Sequence, residues 1–96
     1  MPTFAQTDRC RRDFAGLTST QTAAFRAAAA KFVADLPSGM FRPGLRVRGV
    51  QGAAGVFEMT WADDGRATFE YGPAVRGGET HVVWRRIGTH EVFTRP

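Results

Sequence analysis

The apolar positions in the first third of the chain repeat with the period of an α-helix. Behind Thr18, apolar residues recur at intervals of three and four. They are Phe25, Ala28, Ala29, Phe32, Val33 and Leu36. The segment Thr18-Ser19-Thr20-Gln21 matches a capping box, which marks a helix start. Pro37-Ser38-Gly39 ends the pattern, so the sequence predicts a helix between these two signals.

A shorter helix is predicted ahead of it. Thr7 followed by Asp8 is typical of an N-cap, and Cys10 and Phe14 lie four residues apart on one face. Gly16 can end the segment. We therefore expect residues 8–36 to form a helical hairpin with one apolar side.

The period changes from 3.6 to 2 after Pro43-Gly44. Apolar and basic residues alternate over 45–48, which indicates a short strand or an extended arm. The alternation returns over residues 56–62 and 66–71, and residues 81–87 form a third strand that Gly88 bulges or ends. Residues 45–93 are thus predicted to form an antiparallel meander.

The turn between the first two long strands sets their register. A three-residue loop, Asp63-Asp64-Gly65 with Gly65 left-handed, pairs Trp61 with Ala67 and keeps the apolar residues on one face. The same register places Glu58 directly opposite Glu70. Two carboxylates so paired repel each other unless a cation from the next strand lies between them.

These elements define the expected fold. A helical hairpin followed by a sheet with one apolar face predicts an α+β protein, in which the hairpin packs on a curved antiparallel β-sheet. At 96 residues, the chain is expected to be a single domain over 1–96.

The charge of the chain is basic and dominated by arginine. Thirteen Lys+Arg against nine Asp+Glu give +4, and all but Lys31 of the bases are Arg. Residues 1–48 carry eight bases and three acids, so the excess lies in the first half. Arginine presents a planar fork to phosphate or carboxylate, which favours nucleic acid or an acidic protein as partner over a membrane surface.

Several classes of protein are excluded by what the sequence lacks. A lone cysteine, Cys10, cannot form an intramolecular disulfide, and the first residues do not resemble a secretion signal. The longest apolar stretch, 23–34, is interrupted by Arg26 and Lys31 and is too short for a membrane span. We therefore expect a cytoplasmic protein with no membrane partner.

The second half of the chain resembles the RelE/ParE superfamily of toxins from type II toxin–antitoxin systems. The matching motifs are Gly49-x-x-Gly-x-x-x-Val-Phe57-Glu58-Met-x-Trp, then Gly65-Arg66-Ala-Thr-Phe69-x-Tyr71, then Val-Val-Trp-x-x-Ile-Gly88-Thr89-His90-x-x-Phe93. The resemblance implies a helical hairpin before a meander, with an N-terminal strand that would be Thr3–Gln6 here. It also implies an mRNA interferase of the RelE or YafQ kind, partnered by a cognate antitoxin, the ribosome and mRNA.

The resemblance also implies roles for individual residues. In the family, the arginine that opens the second strand of the meander acts on the scissile phosphate, which corresponds to Arg66, and the loop after the last strand carries a catalytic side chain, which corresponds to His90. The chain departs from the family at Glu58 and Thr60, where RelE-like members often have lysines and YafQ-like members a second histidine.

The chemistry of RNA cleavage without metal needs a base, an acid and cations around the phosphate. Glu58 and His90 are the candidates for proton transfer, since histidine has an ordinary pKa of about 6.5. Arg66, with Arg85 or Arg86, would stabilise the phosphate. The product would carry a 2′,3′-cyclic phosphate, and which residue is the acid and which the base stays open.

Other side chains suit RNA binding without chemistry. Arg42, Arg46 and Arg48 suit sequence-independent phosphate contacts, and Phe93 can stack on a base or simply seal the sheet. A solvated strand face is the alternative for the arginines.

No cofactor and no metal site are expected. His81, His90 and Cys10 lack the spacing of metal ligands, and His81 is expected to cap its strand. Two other functions remain open at this point. One is a ParE-type toxin that inhibits DNA gyrase by contact, and the other is a basic RNA-binding module without catalytic activity.

Overall fold

Two helices pack on a five-stranded sheet in the computed structural model, which describes residues 2–96. The elements in chain order are β1 Thr3–Gln6, α1 Asp8–Ala15, α2 Ser19–Asp35, β2 Arg48–Gly49, β3 Val56–Thr60, β4 Arg66–Gly72 and β5 His81–Gly88. Short 3-10 segments cover Leu36–Ser38, Pro43–Leu45 and His90–Thr94. The predicted α+β class and helical hairpin are confirmed.

Both helices begin at the caps that the sequence predicts. The Thr7 side chain accepts a hydrogen bond from the backbone N–H of Cys10, at 3.1 Å. Thr18 and Gln21 form both halves of a capping box, each side chain accepting from the other residue's backbone N–H. These bonds satisfy backbone donors that have no partner within the helix, so the starts are fixed locally.

The sheet is mixed, because a parallel edge strand joins the predicted antiparallel meander. Its strand order is β1-β5-β4-β3-β2, and β1 runs parallel to β5. The other neighbours are antiparallel. The N-terminal strand Thr3–Gln6 that the resemblance implied is therefore present, at the edge of the sheet.

The turn between β3 and β4 differs from the predicted one. Trp61 pairs with Gly65, and Ala62, Asp63 and Asp64 form the loop, here named the β3–β4 turn. Gly65 does not have a left-handed conformation. A Cβ on Gly65 would lie only 2.6 Å from the Trp61 ring, so the glycine is needed for this close approach.

The register of β3 on β4 is consequently shifted by two residues. Glu58 lies opposite Thr68, and Val56 opposite Glu70. The predicted Glu58–Glu70 pair is therefore wrong. The apolar face is still correct because a shift of two residues preserves the side on which each side chain lies.

The remaining corrections concern strand length and the bulge. Residues 45–48 are not one strand, because Arg46 has a φ of 48° and ends the 3-10 segment Pro43–Leu45. Strand β5 ends at Gly88, as one of the two predicted alternatives states, and its bulge lies at Arg85, which has no partner in the register between β4 and β5. The meander ends at Gly88, since His90–Thr94 is a 3-10 segment.

The core lies between α2 and the inner face of the sheet. Phe32 is fully buried, and its ring centroid lies 4.9 Å from that of Phe69 and 5.1 Å from that of Trp84. Phe25, Ala28 and Leu36 from the predicted stripe are also buried. Val33 is the exception, being 39% exposed. No helix in the described chain is both long and apolar enough to span a bilayer.

The C-terminal segment folds back over the outer face of the sheet. The carbonyl of Pro96 accepts hydrogen bonds from Thr68 Oγ1 and Arg85 Nε, at 2.9 and 3.1 Å. The carbonyl of Arg95 accepts from Arg86 Nη1 at 3.2 Å. This cover explains why Thr68, a polar residue on the outer face, is fully buried.

Candidate functional site

Four of the predicted site residues line one cleft on the outer side of the sheet. The cleft has a volume of about 520 Å³ and lies between β2, β3 and the segment that follows β5. Its lining residues are Arg48, Gly49, Val50, Gln51, Glu58, His90 and Phe93. Arg48 and His90 are 42 positions apart in sequence, yet both line this cleft. Arg48 reaches it because β2, at the sheet edge, pairs with β3.

Glu58 is buried and paired with an exposed arginine. It is 6% exposed, and its Oε1 accepts a hydrogen bond from Arg48 Nε at 3.1 Å. Arg48 lies directly opposite Glu58 in the β2–β3 register, and its side chain is 70% exposed. A buried carboxylate with a solvent-accessible guanidinium beside it places a proton acceptor next to a cation that a ligand can reach.

His90 is oriented by a carboxylate of the β3–β4 turn. Its Nδ1 lies 2.5 Å from Asp64 Oδ1. The hydrogen bond to His90 lowers the pKa of the Asp64 carboxyl, which is therefore ionised at neutral pH. Because an ionised carboxylate only accepts hydrogen bonds, Nδ1 carries the proton of the neutral ring. Nε2 is thereby left as the nitrogen that can take up or release a proton.

Phe93 lies one 3-10 turn beyond His90. Its ring meets the imidazole edge to face, with centroids 5.8 Å apart. Thr89 begins this segment by accepting a hydrogen bond from the Glu91 backbone N–H through its side chain. Val92 is buried on the sheet and anchors the segment. The segment therefore presents His90 and Phe93 together on the cleft.

The structure places the other three predicted catalytic arginines outside this cleft. Arg66 is 9% exposed, and its Nη1 donates to the backbone carbonyls of Ala62, Asp63 and Gly65. These bonds hold the guanidinium against the β3–β4 turn. Arg66 therefore does not line the cleft with Glu58 and His90, although the strand register sets it opposite Thr60, only two residues from Glu58.

Arg85 and Arg86 are occupied by contacts within the fold. Arg85 Nη1 donates to Glu70 at 3.1 Å, and Arg86 holds Asp13 of α1 through two hydrogen bonds of 2.6 and 3.2 Å. Asp13 also accepts the backbone N–H of Ile87, at 3.2 Å. Since β1 pairs with β5 only as far as residue 84, these bonds attach α1 to the open edge beyond it. Neither arginine faces the cleft.

The three arginines predicted to bind RNA also lie at different places, and only one of them lines the cleft. Arg42 forms a two-pronged ion pair with Asp35, at 2.8 and 2.9 Å, and its backbone N–H adds a third bond. The hydrogen bonds from Arg42 lower the Asp35 pKa to about 2. Arg46 lies in a different groove, beside Arg66. Of the three, Arg48 alone lines the cleft with His90.

Two residues of the site escaped the sequence analysis. Asp64 was assigned only to the turn, and Gln51 was given no role. The order of strands in the meander could have indicated Asp64, because Arg66 at the start of β4 pairs with Gly88 at the end of β5. The turn before β4 and the segment after β5 therefore lie at the same end of the sheet. No local pattern identifies Gln51.

The described residues contain no group of three or more His, Cys, Asp or Glu side chains arranged to hold a metal ion. Cys10 is fully buried, and burial raises the pKa of its thiol to about 11. Such a thiol is protonated at neutral pH and is a poor nucleophile.

Comparison with known proteins extends over nearly the whole chain but at low sequence identity. No family sequence model matches the chain, and no curated protein matches its sequence. Among solved structures, a YoeB/ParE toxin from Agrobacterium tumefaciens is similar with a TM-score of 0.68 and 12% identity, over 92% of this chain and 98% of that one.

Two toxin–antitoxin complexes are also similar. The Escherichia coli DinJ-YafQ complex gives a TM-score of 0.61 at 12% identity, over 95% of this chain and 94% of that chain. The RelB-RelE antitoxin–toxin complex from Methanococcus jannaschii gives 0.59 at 10% identity, over 94% of each chain. The chain therefore has the fold of the RelE/ParE-like toxins, as the motifs of its second half predicted.

Proposed function

We propose that the protein is the toxin of a type II toxin–antitoxin pair and a ribosome-dependent, metal-independent mRNA endoribonuclease. The observation that carries this proposal is the cleft in which Glu58, Arg48, His90 and Phe93 meet. The fold shared with toxins supports the first part of the proposal, and the antitoxin complexes among the similar structures support a cognate antitoxin as partner. In this role the protein acts in the cytoplasm on mRNA bound to the ribosome.

The side chains in the cleft supply what cleavage of RNA needs. One of Glu58 and His90 takes the proton of the 2′-hydroxyl as its oxygen attacks phosphorus, and the other gives a proton to the leaving 5′-oxygen. The bond from the 2′-oxygen to phosphorus forms, the bond to the 5′-oxygen breaks, and a 2′,3′-cyclic phosphate results. Arg48 is the cation available to the phosphate, and Phe93 offers a ring on which a base stacks.

The roles of the remaining arginines change accordingly. Arg66, Arg85 and Arg86 are bonded to carbonyls and carboxylates of the fold. We assign Arg85 and Arg86 to holding the C-terminal segment and α1 in place rather than to the reaction. Arg48 takes the place that the resemblance gave to Arg66.

The test is primer extension on an mRNA in a reconstituted translation reaction, with and without ribosomes. We expect the wild type to cut only in the presence of ribosomes, and His90→Ala to cut about 10²–10⁴ times more slowly, the usual loss for a general acid or base. His81→Ala is the matched control, since His81 is bonded to Thr3 at the far end of β5 and lies outside the cleft. Circular dichroism verifies that both variants fold.

Two outcomes would contradict the proposal. Undiminished cutting by folded His90→Ala would remove His90 from the chemistry. No cutting by the folded wild type would reject the nuclease, and inhibition of DNA gyrase in a supercoiling assay would then identify a ParE-type toxin.

A further inference from the structure

A second groove lies on the other side of the β3–β4 turn. It has a volume of about 550 Å³ and separates α2 from the end of β3, and it is named here the α2 groove. Three elements contribute a cation to it: Lys31 from α2, Arg46 from the end of a 3-10 segment and Arg66 from β4. Asp63, at the exposed turn, is the one carboxylate among the described residues that line it. The excess of positive charge favours an anionic ligand.

Two buried polar groups in the groove have no partner within residues 2–96. They are the indole Nε1 of Trp61 and the hydroxyl of Thr60. The indole N–H can only donate a hydrogen bond, and a hydroxyl can donate one. Buried donors are rarely left unpaired in folded proteins, so these two point to an acceptor, either a water or a ligand, that enters the groove.

The guanidinium of Arg66 is fixed in a way that suits binding. Nη1 is held by three backbone carbonyls of the turn region, at 2.9 to 3.2 Å. Nε and Nη2 make no hydrogen bond to any other described residue. A guanidinium already immobilised loses little conformational freedom when it binds an oxyanion. Arg46, whose left-handed φ of 48° is unusual outside glycine, brings a second guanidinium to the same groove.

We propose that the α2 groove is an oxyanion site that binds a phosphate group of an RNA backbone. Arg66, Arg46 and Lys31 supply the charge, and the Trp61 indole N–H supplies a fixed donor. Binding of the anion follows from these groups alone, whereas its assignment to RNA rests on the proposed function. The site is separate from the cleft of His90 and makes no contribution to proton transfer.

The experiment uses the two indole N–H signals of the chain in a proton–nitrogen NMR spectrum. The probes are a uridine hexanucleotide, inorganic phosphate and a hexaglutamate peptide, each titrated into the full chain. We expect the hexanucleotide to shift the Trp61 signal saturably, with an affinity that falls as salt is added. Trp84, in the core and outside the groove, is the internal control and should not move.

Variants test which cations are responsible. Arg46→Gln should weaken binding of the hexanucleotide about ten- to a hundredfold, the loss expected for one charge-assisted hydrogen bond. Arg12→Gln is the matched control, because Arg12 is exposed on α1 and does not line the groove. It removes the same charge and should leave the Trp61 response within about twofold, since a distant exposed charge is screened by salt.

Three other results would overturn the proposal. An unmoved Trp61 signal would mean that water alone meets the buried donors. Equal responses to phosphate and hexanucleotide would indicate a free-anion site, and a response to hexaglutamate alone would indicate an acidic protein segment. The NMR readout does not require cleavage, so it is independent of the proposed function. If the wild type cuts no mRNA but its Trp61 signal shifts with RNA, the proposed function is rejected and the site is supported.

Discussion

The contact between Gly65 and Trp61 offers the sharpest test of how this fold sets its strand register. A Cβ added at position 65 would lie 2.6, 2.7 and 2.8 Å from three atoms of the indole. Nonbonded carbon atoms prefer separations of about 3.5–4.0 Å, so the overlap is close to 1 Å. Trp61 cannot move away easily, because it packs edge to face on Phe25, with ring centroids 6.3 Å apart.

The expected cost of Gly65→Ala follows from this overlap. Overpacking of a filled core costs about 1–3 kcal/mol, and an overlap of this size belongs to the upper half of that range. Replacing glycine with alanine also restricts the unfolded chain, which raises the free energy of unfolding by about 0.4–1 kcal/mol and offsets part of this cost. The free energy of unfolding should therefore fall by about 1–2.6 kcal/mol, and Tm by roughly 4–21 °C for a chain of this size.

The assay is urea unfolding followed by tryptophan fluorescence, together with a thermal melt. Gly44→Ala is the control, since a Cβ there would meet nothing within 4 Å and its φ is not left-handed. We expect Gly44→Ala to leave stability unchanged or slightly raised. Equal stability of Gly65→Ala and wild type would refute the reasoning and show that another feature sets the register.

Two further predictions concern local interactions. Thr18→Ala removes one half of the capping box and should lower the free energy of unfolding by about 1 kcal/mol. Thr20→Ala, two residues further along and exposed, should not, and equal urea midpoints for the two variants would contradict this. Arg42→Gln should return the Asp35 pKa from about 2 toward its ordinary value, measured by carboxyl NMR, with Arg46→Gln as control. Because the folded pKa lies below the unfolded one, the stability from this pair is present above about pH 3.9 and is lost as pH falls toward 2. An Asp35 titration unchanged in Arg42→Gln would reject the assigned cause.

The elements that the sequence predicted well are those decided by neighbouring residues. The capping box at Thr18 and the N-cap at Thr7 are local hydrogen bonds, and both helices begin where these residues place them. The alternation in β3 and β4 gave the correct buried face, because that face depends only on the period of the strand.

The sequence did not predict the features that depend on distant contacts. The turn between β3 and β4 was misplaced because the packing of Trp61 against Gly65 has no local signature. That error alone produced the incorrect Glu58–Glu70 pair. The salt bridge between Arg86 and Asp13 joins residues 73 positions apart, so no local pattern could assign it.

The net charge of the sequence predicted the basic surface only in part, because it does not show which arginines are paired with carboxylates in the fold. Arg42, Arg85 and Arg86 are each held by a carboxylate of the chain, and such pairs contribute little to the field at a distance. Arg46 and Lys31 form no ion pair with another described residue, and Arg66 bonds only to carbonyls. The basic character available to a partner therefore includes the three cations of the α2 groove.

The β3–β4 turn connects the two proposed sites physically. Its Asp64 side chain orients His90 in the cleft, while the carbonyls of Ala62 and Asp63 hold Arg66 in the α2 groove. The conformation of the turn in turn depends on the contact between Gly65 and Trp61. Gly65, which lines neither the cleft nor the α2 groove, therefore constrains the turn that contributes to both. If this coupling is correct, Gly65→Ala should disturb the His90 and Trp61 NMR signals together, even under conditions in which the variant remains fully folded.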